Sequence, residues 1–178
     1  MKVEIKGIIL ECVKGDITNQ PEFEAIVNAA NAQLLKGGGV AGAIHRTAGP
    51  QLEEICRPLA PIKPGEAVIT PGFRLPNRYV IHCLGPVYGV DEPSEEILSH
   101  CYRNILKLAE KNKITSIAFV AISTGIFRFP LRKAASIAFR TITESISSLF
   151  YVKRIRFVLY DEESFYIHQD ILSNLVGR

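Results

Sequence analysis

Residues 25–48, AIVNAANAQLLKGGGVAGAIHRTA, carry the residue types most capable of chemistry in this chain. An apolar run ends in Asn28 and Asn31. Gly37, Gly38 and Gly39 follow, and Val40 opens a small-residue helical pattern. Glycines placed just before a helix N-terminus expose backbone N–H groups to an approaching anion. The asparagines add neutral donors and acceptors beside them. That combination suits a phosphorylated, hydroxyl-rich ligand. A second segment of the same kind, Ser123-Thr124-Gly125, follows the apolar run 116–122 and precedes another helical pattern. Two such loops at the C-terminal ends of two strands lie where an α/β sheet binds ligands. Two phosphate-binding loops point to a diphosphate.

Other candidates carry a second reading beside the functional one. Asp16, in Gly15-Asp16-Ile17-Thr18, follows a predicted strand. Its carboxylate can accept a hydrogen bond from an exocyclic amine such as that of adenine, or simply cap a turn through Thr18. Tyr160, at the end of a predicted strand, can stack a base or sit half-buried. Phe127 can pack on a ribose or fill the core. His45 and His82 read as packed, hydrogen-bonded residues, and His100 and His168 as helix-surface residues. Gly37, Gly39 and Gly42 formally satisfy GxGxxG. A dinucleotide fold, however, places that turn directly after its strand and an acidic residue about 20 positions on. Here eight residues separate Asn28 from Gly37, and Glu53 and Glu54 lie in a helical pattern followed by prolines. The nicotinamide-cofactor reading is therefore rejected. No His/Cys cluster has metal spacing, so no metal is implied, and no cofactor is expected.

The elements that must position these residues alternate along the chain. Strands are predicted at 3–5, 7–14, 25–28, 67–70, 79–84, 116–122 and 154–160. Helices are predicted at 40–48, 51–57, 94–112, 131–149 and 162–175. Ser94 is the expected N-cap of the third helix, with Glu96 in its first turn. The second half reads β-α-β-α, which favours parallel strands covered by helices, and the segments between residues 3 and 14 are expected to pair at an edge. A length of 178 residues predicts a single domain spanning 1–178, large enough for a sizeable core. Hydrophobic residues make up 47% and charged residues 22%, which is ordinary for a globular protein. The net charge of +3, without a dense basic stripe, argues against nucleic acid as the main partner. Cys12, Cys56, Cys83 and Cys101 sit far apart in apolar segments, the pattern of reduced, buried thiols in a cytoplasmic protein. Lys2, Glu4, Lys6 and Glu11 interrupt the N-terminal apolar residues, so no signal peptide is expected. No apolar run approaches the ~20 residues that span a bilayer, so no membrane partner is expected.

Taken together, these pieces resemble a macrodomain, the ADP-ribose-binding module, along nearly the whole length. The matching stretches are Gly15-Asp16-Ile17-Thr18, Val27-Asn28-Ala29-Ala30-Asn31, Gly37-Gly38-Gly39-Val40, Ala43-Ile44-His45, Ala48-Gly49, Val80-Ile81-His82 with Gly85-Pro86, Ile122-Ser123-Thr124-Gly125-Ile126-Phe127 and Tyr160. One such piece would be weak; all of them in family order are specific. The resemblance implies a three-layer α/β/α sandwich with a mixed, mostly parallel central sheet. It also implies roles. Asp16 would hold the adenine amine, with the Ile17 backbone beside it, and Tyr160 would stack the adenine. Gly37, Gly38, Gly39 and Val40, with Ser123, Thr124, Gly125, Ile126 and Phe127, would wrap the diphosphate. Asn31 would contact the distal ribose and is the implied catalytic residue. Asn28 would support its loop, and Phe127 would pack against that ribose.

One position departs from the pattern. The hydrolytic, MacroD-like branch, to which the chain is otherwise most similar, carries an Asp directly after GGGV, positioned to help activate water. Here that residue is Ala41. General-base help supplies about 10²–10⁴-fold, so its loss weakens an enzyme without forbidding activity. The resemblance thus implies binding of ADP-ribose or ADP-ribosylated protein. It also implies slow removal of ADP-ribose from acidic side chains, or slow hydrolysis of small ADP-ribose esters. The alternative is a non-catalytic ADP-ribose reader.

Overall fold

The computed structural model describes residues 1–176. Seven strands and five α-helices follow one another along it: β1 (Lys2–Ile5), β2 (Ile8–Lys14), β3 (Ala25–Ala29), α1 (Gly39–Ala48), α2 (Pro50–Cys56), β4 (Ala67–Pro71), β5 (Tyr79–Cys83), α3 (Ser94–Lys111), β6 (Ser116–Phe119), α4 (Leu131–Ser145), β7 (Arg154–Leu159) and α5 (Glu162–Val176). The strands form one sheet in the order β1-β2-β7-β6-β3-β5-β4. The five inner strands run parallel, while β1 pairs with β2 and β4 with β5 antiparallel. The mixed, mostly parallel sheet is therefore the expected one, and β1 is an edge as expected. Pro71 lies in the other edge strand, β4, where a missing N–H is tolerated.

The inner strands are apolar on consecutive residues because helices cover both faces. All four residues of β6 are buried, as are Ala25, Ile26 and Val27 of β3. Adjacent residues of β5 report the two sides, since side chains alternate along a strand. His82 reaches Cys56 of α2 at 3.8 Å, whereas Cys83 lies against Cys101 of α3. The layer of α1 and α2 therefore covers one face, and α3, α4 and α5, packed in a row, cover the other. All four cysteines are free and buried, as expected.

The α3–α5 layer closes on an aromatic cluster. Tyr102 of α3, Phe119 of β6, Phe139 of α4 and Phe157 of β7 pack with ring centroids 4.9–6.2 Å apart, and Phe119 and Phe157 are stacked. His168 completes this cluster, which corrects its assignment to a helix surface. It is 1% exposed, 5.4 Å from the Phe157 ring, and its Nδ1 lies 2.8 Å from the Ser164 carbonyl. A backbone bond within α5 satisfies Nδ1 of the imidazole, which offsets part of the cost of burial. Ser94 is also not the cap of α3. Pro93 occupies that position, and the Ser94 hydroxyl instead donates to the Asp91 carbonyl at 2.5 Å. The strand expected at 116–122 ends at Phe119, and the helix expected at 131–149 ends at Ser145, followed by a short 3-10 turn.

On the opposite face, His82 is satisfied by Asn28 and Thr70. The Asn28 amide Nδ2 lies 3.0 Å from His82 Nδ1, and Thr70 Oγ1 lies 2.9 Å from His82 Nε2. An amide nitrogen only donates, so Nδ1 accepts and Nε2 carries the proton. The ring is neutral: burial, reinforced by nearby His45, pushes its pKa down to about 3. Burial lowers His168 as well. Unfolded imidazoles protonate near pH 6.5. Between that value and about 3, the unfolded chain binds the proton that folded His82 refuses, so stability falls as the pH drops through this window. We expect the thermal midpoint to fall between pH 7 and pH 4, and a His82→Gln variant to lose less over the same range. An equal loss in both proteins would place the acid sensitivity elsewhere.

Candidate functional site

The chain leaves β3 through α1 on one face and leaves β6 through α4 on the other, yet β3 and β6 are neighbours. Such a switch opens a crevice at the carboxyl ends of the two strands. The segment after β3 contains Asn31 and the three glycines. The segment after β6 contains Ser123, Thr124 and Gly125. The two loops read separately from the sequence therefore face one crevice. The next strand in the sheet is β7, which ends beside Tyr160, and the one after it is β2, which ends before Asp16. From β3 to β2 are three strand gaps of ~4.8 Å, roughly 14 Å along the sheet edge. That length suits an elongated ligand.

The glycine loop presents backbone rather than side chains. Gly38 is the N-cap of α1 and offers no side-chain cap. The first main-chain bond of the helix runs from Gly42 N–H to the Gly38 carbonyl at 3.2 Å. The N–H groups of Gly39, Val40 and Ala41 precede it and have no partner within the helix. Side chains added at Gly38 or Gly125 would meet nothing within 4 Å, so both loops are open above the backbone. Close approach is required elsewhere. A Cβ at Gly42 would stand 2.3 Å from the Gly37 carbonyl, and one at Gly85 would stand 2.1 Å from Ser123 Oγ. Gly42 thus seats the glycine loop on α1, and Gly85 lets the 85–93 segment close on the Ser123 loop.

Asn31 is committed in part to its own turn. Its Nδ2 donates to the Leu35 carbonyl at 2.7 Å and its Oδ1 accepts the Leu35 N–H at 3.0 Å. An amide has two donors and two acceptor sites, so one of each remains. Asn28 is buried near the end of β3, with its Nδ2 bonded to His82. Ser123 has a left-handed backbone, φ 67°, and its buried hydroxyl finds no partner among the described residues. The Thr124 hydroxyl is used: it donates to the Ala121 carbonyl at 2.9 Å. Ile126 is 91% exposed at the rim, whereas Phe127 is half-buried and packs against the core. The Phe127 carbonyl accepts the Tyr88 N–H at 2.9 Å, which ties the rim to the 85–93 segment.

At the other end, both readings of Asp16 have structural content. Its Oδ1 caps the turn, accepting from Thr18 N–H at 2.9 Å and from the Thr18 hydroxyl at 2.7 Å, while Oδ2 takes neither bond. The side chain is exposed and Ile17 beside it is buried. Tyr160 is 87% exposed rather than half-buried, leaving its ring face available. Asp161, next to it, caps α5 by accepting the Ser164 N–H at 2.8 Å. His45 is buried on α1 and its pKa is lowered by burial, so it is neutral at neutral pH. Ala41 lies buried in the first turn of α1, and no acidic residue occurs in 37–41 or 123–127. Among the described residues, no group of three or more His, Cys, Asp or Glu side chains could hold a metal. Sequence reasoning missed Gln20 and Asn77, which brace the Asp16 loop. Their partners are the Asp16 carbonyl and Arg156 for Gln20, and the Gln20 and Phe23 carbonyls for Asn77. Most of these contacts join residues far apart in sequence, so no local pattern marks them.

Comparison with known proteins agrees with this geometry. The sequence profile of the Macro domain family matches residues 27–138. A macro domain-containing protein of Chlorobaculum tepidum is 44% identical over 168 residues, covering 94% of this chain and 97% of the relative. An O-acetyl-ADP-ribose deacetylase of Salmonella newport is 46% identical over 169 residues, covering 92% of this chain and 94% of the relative. The Oceanobacillus iheyensis macrodomain, solved with ADP, superposes with a TM-score of 0.95 at 40% identity, covering 99% of this chain and 96% of that one. A domain whose glycine and serine loops meet at the β3–β6 switch, with this profile and these relatives, belongs to the macrodomain family.

Proposed function

We propose that this protein binds ADP-ribose and its derivatives in the crevice between the β3 and β6 loops and slowly hydrolyses ADP-ribose esters. One observation carries the reading. Two loops with open space at Gly38 and Gly125 follow the neighbouring strands β3 and β6, and the first leads into the N–H groups at the start of α1 that have no partner within the helix. A diphosphate fits between such loops because main-chain donors and the helix dipole both favour anions. In this reading the ligand runs along the sheet edge. Adenine lies between Asp16 and Tyr160, with Asp16 Oδ2 accepting from the exocyclic amine and the Ile17 backbone alongside. Gly37, Gly38, Gly39 and Val40 take one side of the diphosphate. Ser123, Thr124, Gly125, Ile126 and Phe127 take the other. The remaining donor and acceptor of Asn31 meet the distal ribose.

The chemistry proposed is hydrolysis: water adds to the ester carbon or phosphorus, and the ribose oxygen leaves with a proton. Ala41 supplies no base, so the water is oriented by Asn31 and by a phosphate oxygen of the ligand itself. This makes the reaction slow. The name of the Salmonella relative supports acyl esters as one substrate class. The missing carboxylate at position 41 favours a second reading, a binding module without turnover. The proposed site of action is the cytoplasm, supported by four unpaired buried thiols and by the absence of a helix, among the described residues, long and apolar enough to cross a membrane.

Three outcomes are expected. At ADP-ribose concentrations ~100 times Kd, the native state should gain roughly 2.7 kcal/mol, read as a rise in thermal midpoint; AMP, which fills only part of the crevice, should give a smaller rise at the same concentration. Gly38→Glu should remain folded by circular dichroism and lose ADP-ribose binding, because the carboxylate would occupy the phosphate position; normal binding would put the diphosphate elsewhere. Ala41→Asp should raise kcat on an ADP-ribose ester by ~10²-fold, with any repulsion of the diphosphate appearing in KM. If neither wild type nor variant turns over any ester while ADP-ribose binds, the binding-module reading stands.

A further inference from the structure

The face of β2 and β7 opposite α5 is covered by the 16–24 loop rather than by a helix, and a polar network joins the two. Glu11 of β2 is 2% exposed and accepts from Arg154 Nε at 2.8 Å and Arg156 Nε at 3.2 Å. The guanidinium groups of both arginines lie over the Phe23 ring, 4.6 and 4.5 Å from its centroid. Only Arg156 goes further. Its Nη1 donates to Gln20 Oε1 at 2.8 Å and also to Glu22. Gln20, itself buried, then donates from Nε2 to the Asp16 carbonyl at 2.9 Å. Asn77 fixes the Gln20 main chain by donating to its carbonyl at 2.8 Å. Gly15 N–H reaches the Leu159 carbonyl at 2.9 Å, so the loop starts against the end of β7, next to Tyr160.

We infer that Arg156 and Gln20 are positioning residues that set the purine-base selectivity of the site. The inference rests on the assignment of adenine to Asp16 and Tyr160. Both of those residues are located relative to β7: Tyr160 follows that strand directly, and Asp16 is held through the relay Glu11–Arg156–Gln20–Asp16. The relay fixes the height and tilt of the Asp16 main chain above the sheet edge. With its Oδ1 tied to Thr18 of the same turn, the Asp16 carboxylate moves with that main chain. Selectivity for an amine over a ring carbonyl needs an acceptor held in place, since a carboxylate free to swing could yield to the carbonyl and let a water bridge the gap. A largely covered guanidinium, its side chain 12% exposed, with paired donors is well suited to that task, because its planar fork fixes direction as well as distance. A buried Gln whose oxygen and nitrogen are both bonded has no freedom to flip.

The test compares calorimetric affinities for ADP-ribose and for its hypoxanthine counterpart, in which a ring carbonyl replaces the exocyclic amine. Gln20→Glu keeps an oxygen for Arg156 but has no N–H for the Asp16 carbonyl. We expect it to remain folded and to lower the ADP-ribose preference by about five- to tenfold, the size of one hydrogen bond. Arg156→Met should do the same. Arg154→Met, which removes a Glu11 partner and a Phe23 contact but no bond to Gln20, should leave the preference unchanged. In an Asp16→Ala background, Gln20→Glu should have no further effect on the preference, because the main-chain carbonyl that Gln20 holds then carries no carboxylate to position. A merely structural role for Gln20 would lower the melting temperature and leave the ratio intact, which overturns the inference. An equal drop in the Asp16→Ala background also overturns it. A wild-type protein without base preference, and unaffected by Asp16→Ala, would instead remove the adenine assignment on which the inference rests.

Discussion

The structure depends on one unmet valence: the main-chain N–H groups at the start of α1. A helix start normally finds a Ser, Thr, Asp or Asn side chain to accept these donors. Here the cap is Gly38, which has none. The donors are placed, moreover, in the crevice where the crossover from β3 and the crossover from β6 part to opposite faces of the sheet. An anion is the natural partner for such a group of donors. Gly42 lets Gly37 pack on the helix, Gly85 lets the next segment reach Ser123, and buried Asn28 is fixed near the end of β3 by His82. Each of these contacts keeps the loop backbone near the crevice instead of letting side chains fill it.

Around that anion-binding centre the two ends of the site are built differently. The distal end uses an asparagine already tied to its own turn, with one donor and one acceptor left over. The other end presents an exposed carboxylate, Asp16, and an exposed ring, Tyr160, both referenced to β7. Neither phosphate-side loop, 37–41 or 123–127, contains an acidic residue. Ala41 sits in the helix turn that carries the free N–H groups, so the same backbone that favours a diphosphate offers no proton acceptor to a water. In the proposed function, diphosphate binding by backbone and slow hydrolysis both follow from this one segment.

Much of this was legible in the sequence because its signals are local. Apolar runs with β-branched residues marked every strand, and glycine and hydroxyl residues after two of them marked both loops. What was not legible joins distant residues. His168 looks like a surface residue on α5 because nothing nearby announces that Phe139 and Phe157 will close over it. Ser94 has the composition of a cap, yet the 85–93 segment draws its hydroxyl back to Asp91. Gln20 and Arg156 lie 136 positions apart, and only the pairing of β2 with β7 brings them together. Asp16 has two readings in sequence; the structure shows the turn cap on Oδ1 and leaves Oδ2 outside that cap.

The central claim is that main-chain donors of the two loops hold the ligand's diphosphate. Titrating ADP-ribose into ¹⁵N-labelled protein while recording amide resonances tests it most directly. The largest shifts should fall on Gly38, Gly39, Val40 and Ala41 and on Thr124, Gly125 and Ile126, with smaller ones at Ile17 and Tyr160. Shifts concentrated instead at the opposite end of the sheet, where Glu22, Arg78 and Ser116 line another cavity, would contradict the account.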